Sequence, residues 1–294
     1  MSYELWILLT GSLVGLSCGI MGCFLILRKM SMLADAISHT VLLGIVLAFL
    51  ISQSMNGGYM LIGAAIAGIV TTFIVQLLSS SGIQEDAAIG VVFTAMFAVG
   101  VILISFLVGD VHLDVEHALM GEIAFIPWET VSIPLLGEIP NAVVMLGSIL
   151  LLNLILINIF YKEFKITSFD PSMAAALGIP VLVIHYILMG MVSVTTVSAF
   201  DSVGAILVVA MLIAPGATAY LLTDRFKSML VLSGGIGVID AVIGYYGAKW
   251  FDVSISGSMA VAAGMVFLLT WFLSPRYGLI SRWASRRLNQ KESM

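Results

Sequence analysis

Asp35 and His39 lie four residues apart in Asp35-Ala-Ile-Ser-His39, at the start of an otherwise apolar stretch. On a helix, positions i and i+4 share one face, one turn apart. A carboxylate oxygen and an imidazole nitrogen so placed can hold one divalent cation. Mixed oxygen and nitrogen ligation suits first-row metals such as manganese, iron or zinc without choosing among them. The same spacing also serves a local Asp–His hydrogen bond, and spacing alone leaves both readings open. Asp240, flanked by Ile239 and Ala241 in mid-run, either pairs with a polar group across a bundle or lines a pathway. His185 reads as hydrogen-bonded packing, and Asp201, between two apolar runs, as the solvated tip of a tight helical hairpin. From Asp110 to His117, two histidines (His112, His117) and three carboxylates (Asp110, Asp114, Glu116) fall within eight residues. That cluster is either a cation-attracting entrance or a solvated acidic loop, and its field raises the local cation concentration in both cases.

The elements that carry these residues follow from composition. Of 294 residues, 61% are hydrophobic and 10% charged, with a mean hydropathy of +1.14. Soluble domains carry about 45–50% apolar and about 25% charged residues. The chain therefore uses lipid as its solvent, which excludes a soluble enzyme, a disordered regulator and a nucleic-acid binder. Runs long enough to span fall near 5–27, 33–51, 60–78, 87–108, 139–161, 180–200, 203–222, 228–247 and 257–273. The first lacks the basic start of a cleavable signal, since Glu4 is the sole charge before Arg28. The expected architecture is an all-α polytopic membrane protein, a single domain over 1–294 with eight or nine transmembrane helices. Eight would result if one member of the first pair only dips into the membrane.

Charge placement orients the bundle. With the N-terminus outside, eleven of the twelve Lys and Arg residues fall on the cytoplasmic side, from Arg28 and Lys29 to the basic tail over 275–294; Lys249 is outside. The 110–138 segment, acidic and free of Lys and Arg, belongs outside. Lipid offers no partners to backbone polar groups, so the spans are helices. Gly11, Gly15 and Gly19 mark one close-packing face, as do Gly63 with Ala67 and Gly237 with Ala241. Cys18 and Cys23 read as small packing residues.

Between the fifth and sixth runs, the cytoplasmic stretch 169–178 carries a helix signature. Asp170 is a good N-cap, Pro171 a good first helical residue and Gly178 a good stop. An apolar, capped helix in a cytoplasmic loop reads as a docking element for a partner. No lysine follows a glycine anywhere, so the chain has no P-loop. If a nucleotide drives its work, another subunit must supply it.

These stretches are similar to a known family. The segment from Leu25 through Arg28, Met30, Asp35 and His39 to Gly44 resembles the most recognisable motif of the membrane-spanning permease subunits of ATP-binding-cassette importers for manganese, zinc and iron. Glu85–Gly90, Asp114–Gly121 and Ser202–Ala219, with its Pro215-Gly216, are similar to further stretches of that family. The 170–178 segment looks like the family's coupling helix, with Asp170, Pro171, Ala174, Leu177 and Gly178 as its ATPase-coupling residues. The resemblance implies a permease homodimer, two ATPase subunits that bind ATP, and an extracytoplasmic metal-binding protein, in a bacterial plasma membrane. It implies that Asp35 and His39 line the path of a transported divalent metal, manganese first and zinc second, with no permanent cofactor and no catalytic residue. Asp240 remains a pathway candidate on the residues alone. The rival readings are an ATP-driven permease for an iron chelate, which would need no protein ligands, and a gradient-driven secondary transporter, which predicts internal repeats the sequence does not show.

Overall fold

The computed structural model describes residues 3–53, 57–107, 123–128, 130–133, 137–274 and 278. The acidic cluster from Asp110 to His117 and nearly all of the basic tail lie outside the described residues. Eleven α-helices are described: α1 (Tyr3–Leu27), α2 (Ser31–Ser52), α3 (Gly57–Ser80), α4 (Glu85–Leu107), α5 (Asn141–Ile159), α6 (Tyr161–Phe169), α7 (Pro171–Ala176), α8 (Val181–Val203), α9 (Ala205–Leu222), α10 (Phe226–Phe251) and α11 (Ile255–Leu273). Nine of them, all but α6 and α7, are long and apolar enough to cross a membrane. The first two have 25 and 22 residues, so both are long enough to span, which favours nine over eight. Between α4 and the fifth span, β1 (Thr130–Ile133) and β2 (Gly137–Pro140) form an antiparallel hairpin with Thr130 opposite Pro140. The sequence reading assigns no secondary structure to 130–138 and starts the fifth span at 139, inside β2.

The spans fall into two groups. α1 packs on α10 and α9, and α11 packs on α9 and α10; α2 packs on α3, α4 and α8, and α3 on α8. The contact of α1 with α10 needs bare backbone. A Cβ on Gly15 would run into the carbonyl of Gly237, so the glycine face read from the sequence is a contact where two helices meet with nothing between them. Cys18 and Cys23 are free and buried in this group.

Several span ends shift by a few residues, and the end of the fifth, which the sequence reading carries to residue 161, has a visible cause. The structure ends α5 at Ile159, breaks at Phe160 and starts α6 at Tyr161. The cause is an aromatic cluster drawn from distant parts of the chain. Phe164 meets Phe24 edge-on with centroids 5.6 Å apart, Phe24 meets Phe226 at 5.4 Å, and Tyr161 and Phe169 both flank Phe226. Lys162 and Lys165 stay at the surface.

Candidate metal pathway and cytoplasmic docking helix

Along α2, Leu33, Ala34, Ile37, Ser38, Thr40 and Val41 are buried against neighbouring helices, whereas Met32, Asp35, His39 and Leu42 are less covered and form one stripe. The buried side is pinned by polar contacts. The Thr71 hydroxyl lies 2.9 Å from that of Thr40, 2.7 Å from the Ala67 carbonyl oxygen and 3.3 Å from the Met96 sulfur. That pinning sets which face of α2 is left open.

On the open face, His39 Nε2 lies 3.6 Å from Asp35 Oδ1, and the side chains are 34% and 38% exposed, respectively. This is too long for a hydrogen bond. It suits a shared cation, because an ion about 2.2 Å from each atom would see them at a roughly tetrahedral angle. The imidazole is held in an aromatic bracket from α4: Phe93 stacks on it at 5.6 Å and 26°, and Phe97 meets it edge-on at 5.7 Å. These two ring contacts restrict the rotation of the imidazole whose Nε2 faces Asp35 Oδ1 at 3.6 Å. Among the described residues no group of three His, Cys, Asp or Glu side chains could hold a metal, so the pair has no third ligand of that kind among them.

The other sequence candidates are dispersed. Asp240 is fully buried in α10, whose neighbours are α1, α9 and α11, and neither carboxylate oxygen has a hydrogen-bond partner among the described residues. The cross-bundle pairing weighed for it is therefore not seen. Asp201 is exposed near the end of α8, where Gly204 alone separates α8 from α9. His185 is hydrogen-bonded: its Nδ1 lies 3.1 Å from Arg28 Nη1. Sequence reasoning reads Arg28 as an orienting charge and as part of the 25–44 motif, and gives no sign of this contact, whose partner is 157 positions away. Gly15-Leu-Ser17-Cys-Gly19 spells the Gly-x-Ser-x-Gly pattern of hydrolase nucleophiles. It lies inside α1 with Ser17 buried, not at a strand-to-helix turn, so it has no elbow geometry.

The cytoplasmic helix α7 is built as its sequence predicts. Asp170 Oδ1 accepts from the Met173 N–H at 2.9 Å and from the Ser172 hydroxyl at 2.6 Å. These bonds, the Ser172 hydroxyl first, hold the Asp170 carboxyl below the usual carboxylate range. At the far end Gly178 takes a φ of +78°, its N–H reaches the Ala175 carbonyl, and the Ile179 N–H reaches that of Ala174. This paired closure uses glycine because a side chain is strained at that φ. Ala174 is buried against the body, while Phe169, Met173 and Leu177, four residues apart, are all exposed. Phe169 closes α6, Met173 lies within α7 and Leu177 is its C-cap, so large apolar side chains are exposed at both ends and in the middle of this short, capped helix.

Nine candidate spans among the described residues, an Asp–His pair on an open helix face and a short, capped helix between two spans are the features of a polytopic membrane protein. The chain belongs to the ABC 3 transport family, whose model matches residues 2–274. It is similar to the manganese transport system membrane protein MntD of Bacillus subtilis (strain 168), with 61% identity over 99% of each chain. It is 43% identical to the zinc transport system membrane protein TroD of Treponema pallidum (strain Nichols), over 94% of this chain and 75% of that one. Among solved structures, PsaBC from Streptococcus pneumoniae in complex with Fab matches with a TM-score of 0.78 and 35% identity over 94% of each chain. The protein is thus a multi-pass bacterial membrane permease of an ATP-binding-cassette transporter; it is not an enzyme, and the ATPase is a separate partner.

Proposed function

We propose that this permease imports a divalent transition metal, manganese in the first place and zinc in the second, with Asp35 and His39 as ligands on the way. The carrying observation is the pair itself, 3.6 Å apart on an open face of a membrane helix and bracketed by Phe93 and Phe97. Ionisable groups in a membrane span face a bundle interior or a water-filled path, because lipid around them costs about 2.5–3.5 kcal/mol each. A pair open at the surface of one protomer therefore supports a second copy facing it, with the path between the two. The names of the relatives support manganese over zinc, since the relative with 61% identity is named for manganese and the one with 43% for zinc.

In this reading an extracytoplasmic binding protein delivers the ion to the outer mouth. Asp35 and His39 replace part of its hydration shell, and a site with few protein ligands lets it leave again. The ATPase, with its ATP, docks on α7 through the apolar row that Asp170, Pro171, Ala174, Leu177 and Gly178 shape or position. Asp240, a buried carboxyl with unpartnered oxygens, is a second pathway candidate.

The test is cellular manganese, zinc and iron, measured by elemental mass spectrometry in a deletion strain carrying either the wild-type gene or Asp35→Ala at matched membrane levels. Manganese should fall on deletion and return with wild type alone. Full rescue by Asp35→Ala would remove Asp35 from the path, and an unchanged manganese content in a strain without a second importer would overturn the cargo.

A further inference from the structure

Arg28 occupies the three-residue turn between α1 and α2, and its guanidinium reaches three acceptors on two other helices. Nε donates to Ser168 Oγ at 3.2 Å and Nη2 to Thr167 Oγ1 at 2.9 Å, both in the last turn of α6. Nη1 donates to His185 Nδ1 at 3.1 Å, near the start of α8. An arginine has no acceptor, so Nδ1 accepts and the imidazole carries its proton on Nε2. Thr167 and Ser168 come just before the Asp170 cap of α7, and His185 comes soon after the helix ends. One side chain thus bridges both flanks of the cytoplasmic docking helix.

The turn that holds Arg28 has little slack. The Arg28 N–H bonds to the Phe24 carbonyl, Lys29 takes the left-handed conformation at φ 61°, the Met30 N–H returns to Leu25, and the Leu33 N–H reaches Met30. A turn so tightly closed passes a displacement on to the first residues of α2 instead of absorbing it. Asp35 lies seven residues after Arg28. The aromatic contact of Phe164 on α6 with Phe24 on α1 runs parallel to the Arg28 bonds and keeps α6 in register with this turn.

Holding a loop in place does not call for a charge here. Arg28 is half-buried, and burial pushes its guanidinium down to about 10, so it remains charged at neutral pH. Its three acceptors are two hydroxyls and an imidazole. Desolvating a cation to bond neutral groups is costly, and an apolar side chain would fill the same space more cheaply. What the guanidinium supplies is a planar fork of donors that fixes three points at once.

We propose that Arg28 is the positioning residue that transmits movement of the α6–α7 helix pair to the start of α2, and so to Asp35 and His39. This rests on the reading that the ATPase docks on α7. Arg28 itself touches neither metal nor ATPase in this scheme; it converts ATPase movement into a change at the metal ligands.

The experiment uses the assembled transporter, permease with ATPase and binding protein, in proteoliposomes. Manganese uptake and ATP hydrolysis are measured in the same preparation for wild type, R28Q, R28K, the double variant T167V/S168A and, as a docking control, L177D. For R28Q and for T167V/S168A, uptake per ATP should fall about tenfold while hydrolysis stays within about twofold of wild type, the size expected of a coupling residue. R28K, keeping the charge but not the fork, should lie between. Adding R28Q to T167V/S168A should cost little beyond R28Q alone, because the changes remove the same bonds. Unchanged uptake per ATP in both R28Q and T167V/S168A overturns the proposal. If R28Q does not reach the membrane, the near-isosteric T167V/S168A decides by the same ratio. L177D should lose the ATPase; if it retains both ATPase and transport, the docking reading fails, whatever the Arg28 variants do.

Discussion

Both helix groups contain a bare backbone contact, Gly15 with Gly237 between α1 and α10 and Gly44 with Gly63 between α2 and α3, but around α2 a network of side-chain hydrogen bonds is added to it. Gly15 and Gly237 bring α1 against α10 with no side chain between, and the Ser233 hydroxyl bonds the Gly19 carbonyl in the same seam. In the other group, hydroxyls and a thioether connect α2, α3 and α4, and the Ser193 hydroxyl ties α8 to the Ala65 carbonyl of α3 at 3.1 Å. Lipid gives no hydrophobic drive between helices, so both groups need a substitute for it. The first relies mainly on close approach. The second adds polar contacts to the close approach at Gly44 and Gly63, all on its buried sides, which leaves a face of α2 free to carry Asp35 and His39. Where a membrane protein welds and where it works are therefore separable, and the separation can be broken by substitution.

The largest effect belongs to the seam. Gly15→Ala places a methyl group against the Gly237 carbonyl, with backbone on both sides and no flexible side chain to give way. Overpacking costs about 1–3 kcal/mol, and more where neither side can move. The folded protein recovered from membranes should fall to about a tenth of wild type, whereas Met32→Ala, on the open stripe of α2, should leave it near wild type. Quantitative blotting of membranes and size-exclusion profiles in detergent check both. Equal recovery of the two variants would dissolve the contrast between the groups.

Asp240 is where the contrast is sharpest, because it places a buried carboxyl in the welded group. Asp240→Asn keeps the shape and removes the ionisable proton. If Asp240 lies on the pathway, manganese uptake should drop about tenfold with membrane recovery unchanged, a cost of the size of one lost charged contact. Normal uptake with raised thermal stability would make it a tolerated packing residue and leave the working group as the sole site of chemistry.

The sequence was most legible where interactions are local. The nine spans follow from runs of apolar residues, and the Asp35–His39 pair from the helix period. The α7 caps follow from side chains that bond backbone within three residues, as Asp170 does with Met173. Less legible was everything brought together by the fold. The start of α6 depends on Phe24 and Phe226, far away on α1 and α10. The bracket on His39 comes from Phe93 and Phe97 of α4, which read in sequence as two more apolar positions in a span. Arg28 was legible as a positive charge on the cytoplasmic side, but its three partners were hidden by sequence separations of 139, 140 and 157.

The smallest effect tests the end of the molecule where the ATPase is proposed to dock. Asp170 is fully exposed in the sense that matters for its charge, and its carboxyl is held below the usual range by the Ser172 hydroxyl and the Met173 N–H. A carboxyl with a lowered folded value supports α7 fully above its ordinary value of about 3.9 and loses that support only as pH falls through the lowered one. The cap is therefore whole across the cytosolic range, and any loss of uptake between pH 7 and pH 5 has another origin. Asp170→Ala should weaken binding of the ATPase to the permease a few-fold at pH 7, by fraying the first turn that presents Met173. Asp170→Asn should retain most of the affinity, because asparagine caps about as well as aspartate. A titration of purified ATPase onto the permease in nanodiscs measures both. If Asp170→Asn loses as much as Asp170→Ala, the carboxylate's charge meets the partner directly, and α7 is a charged contact as well as an apolar one.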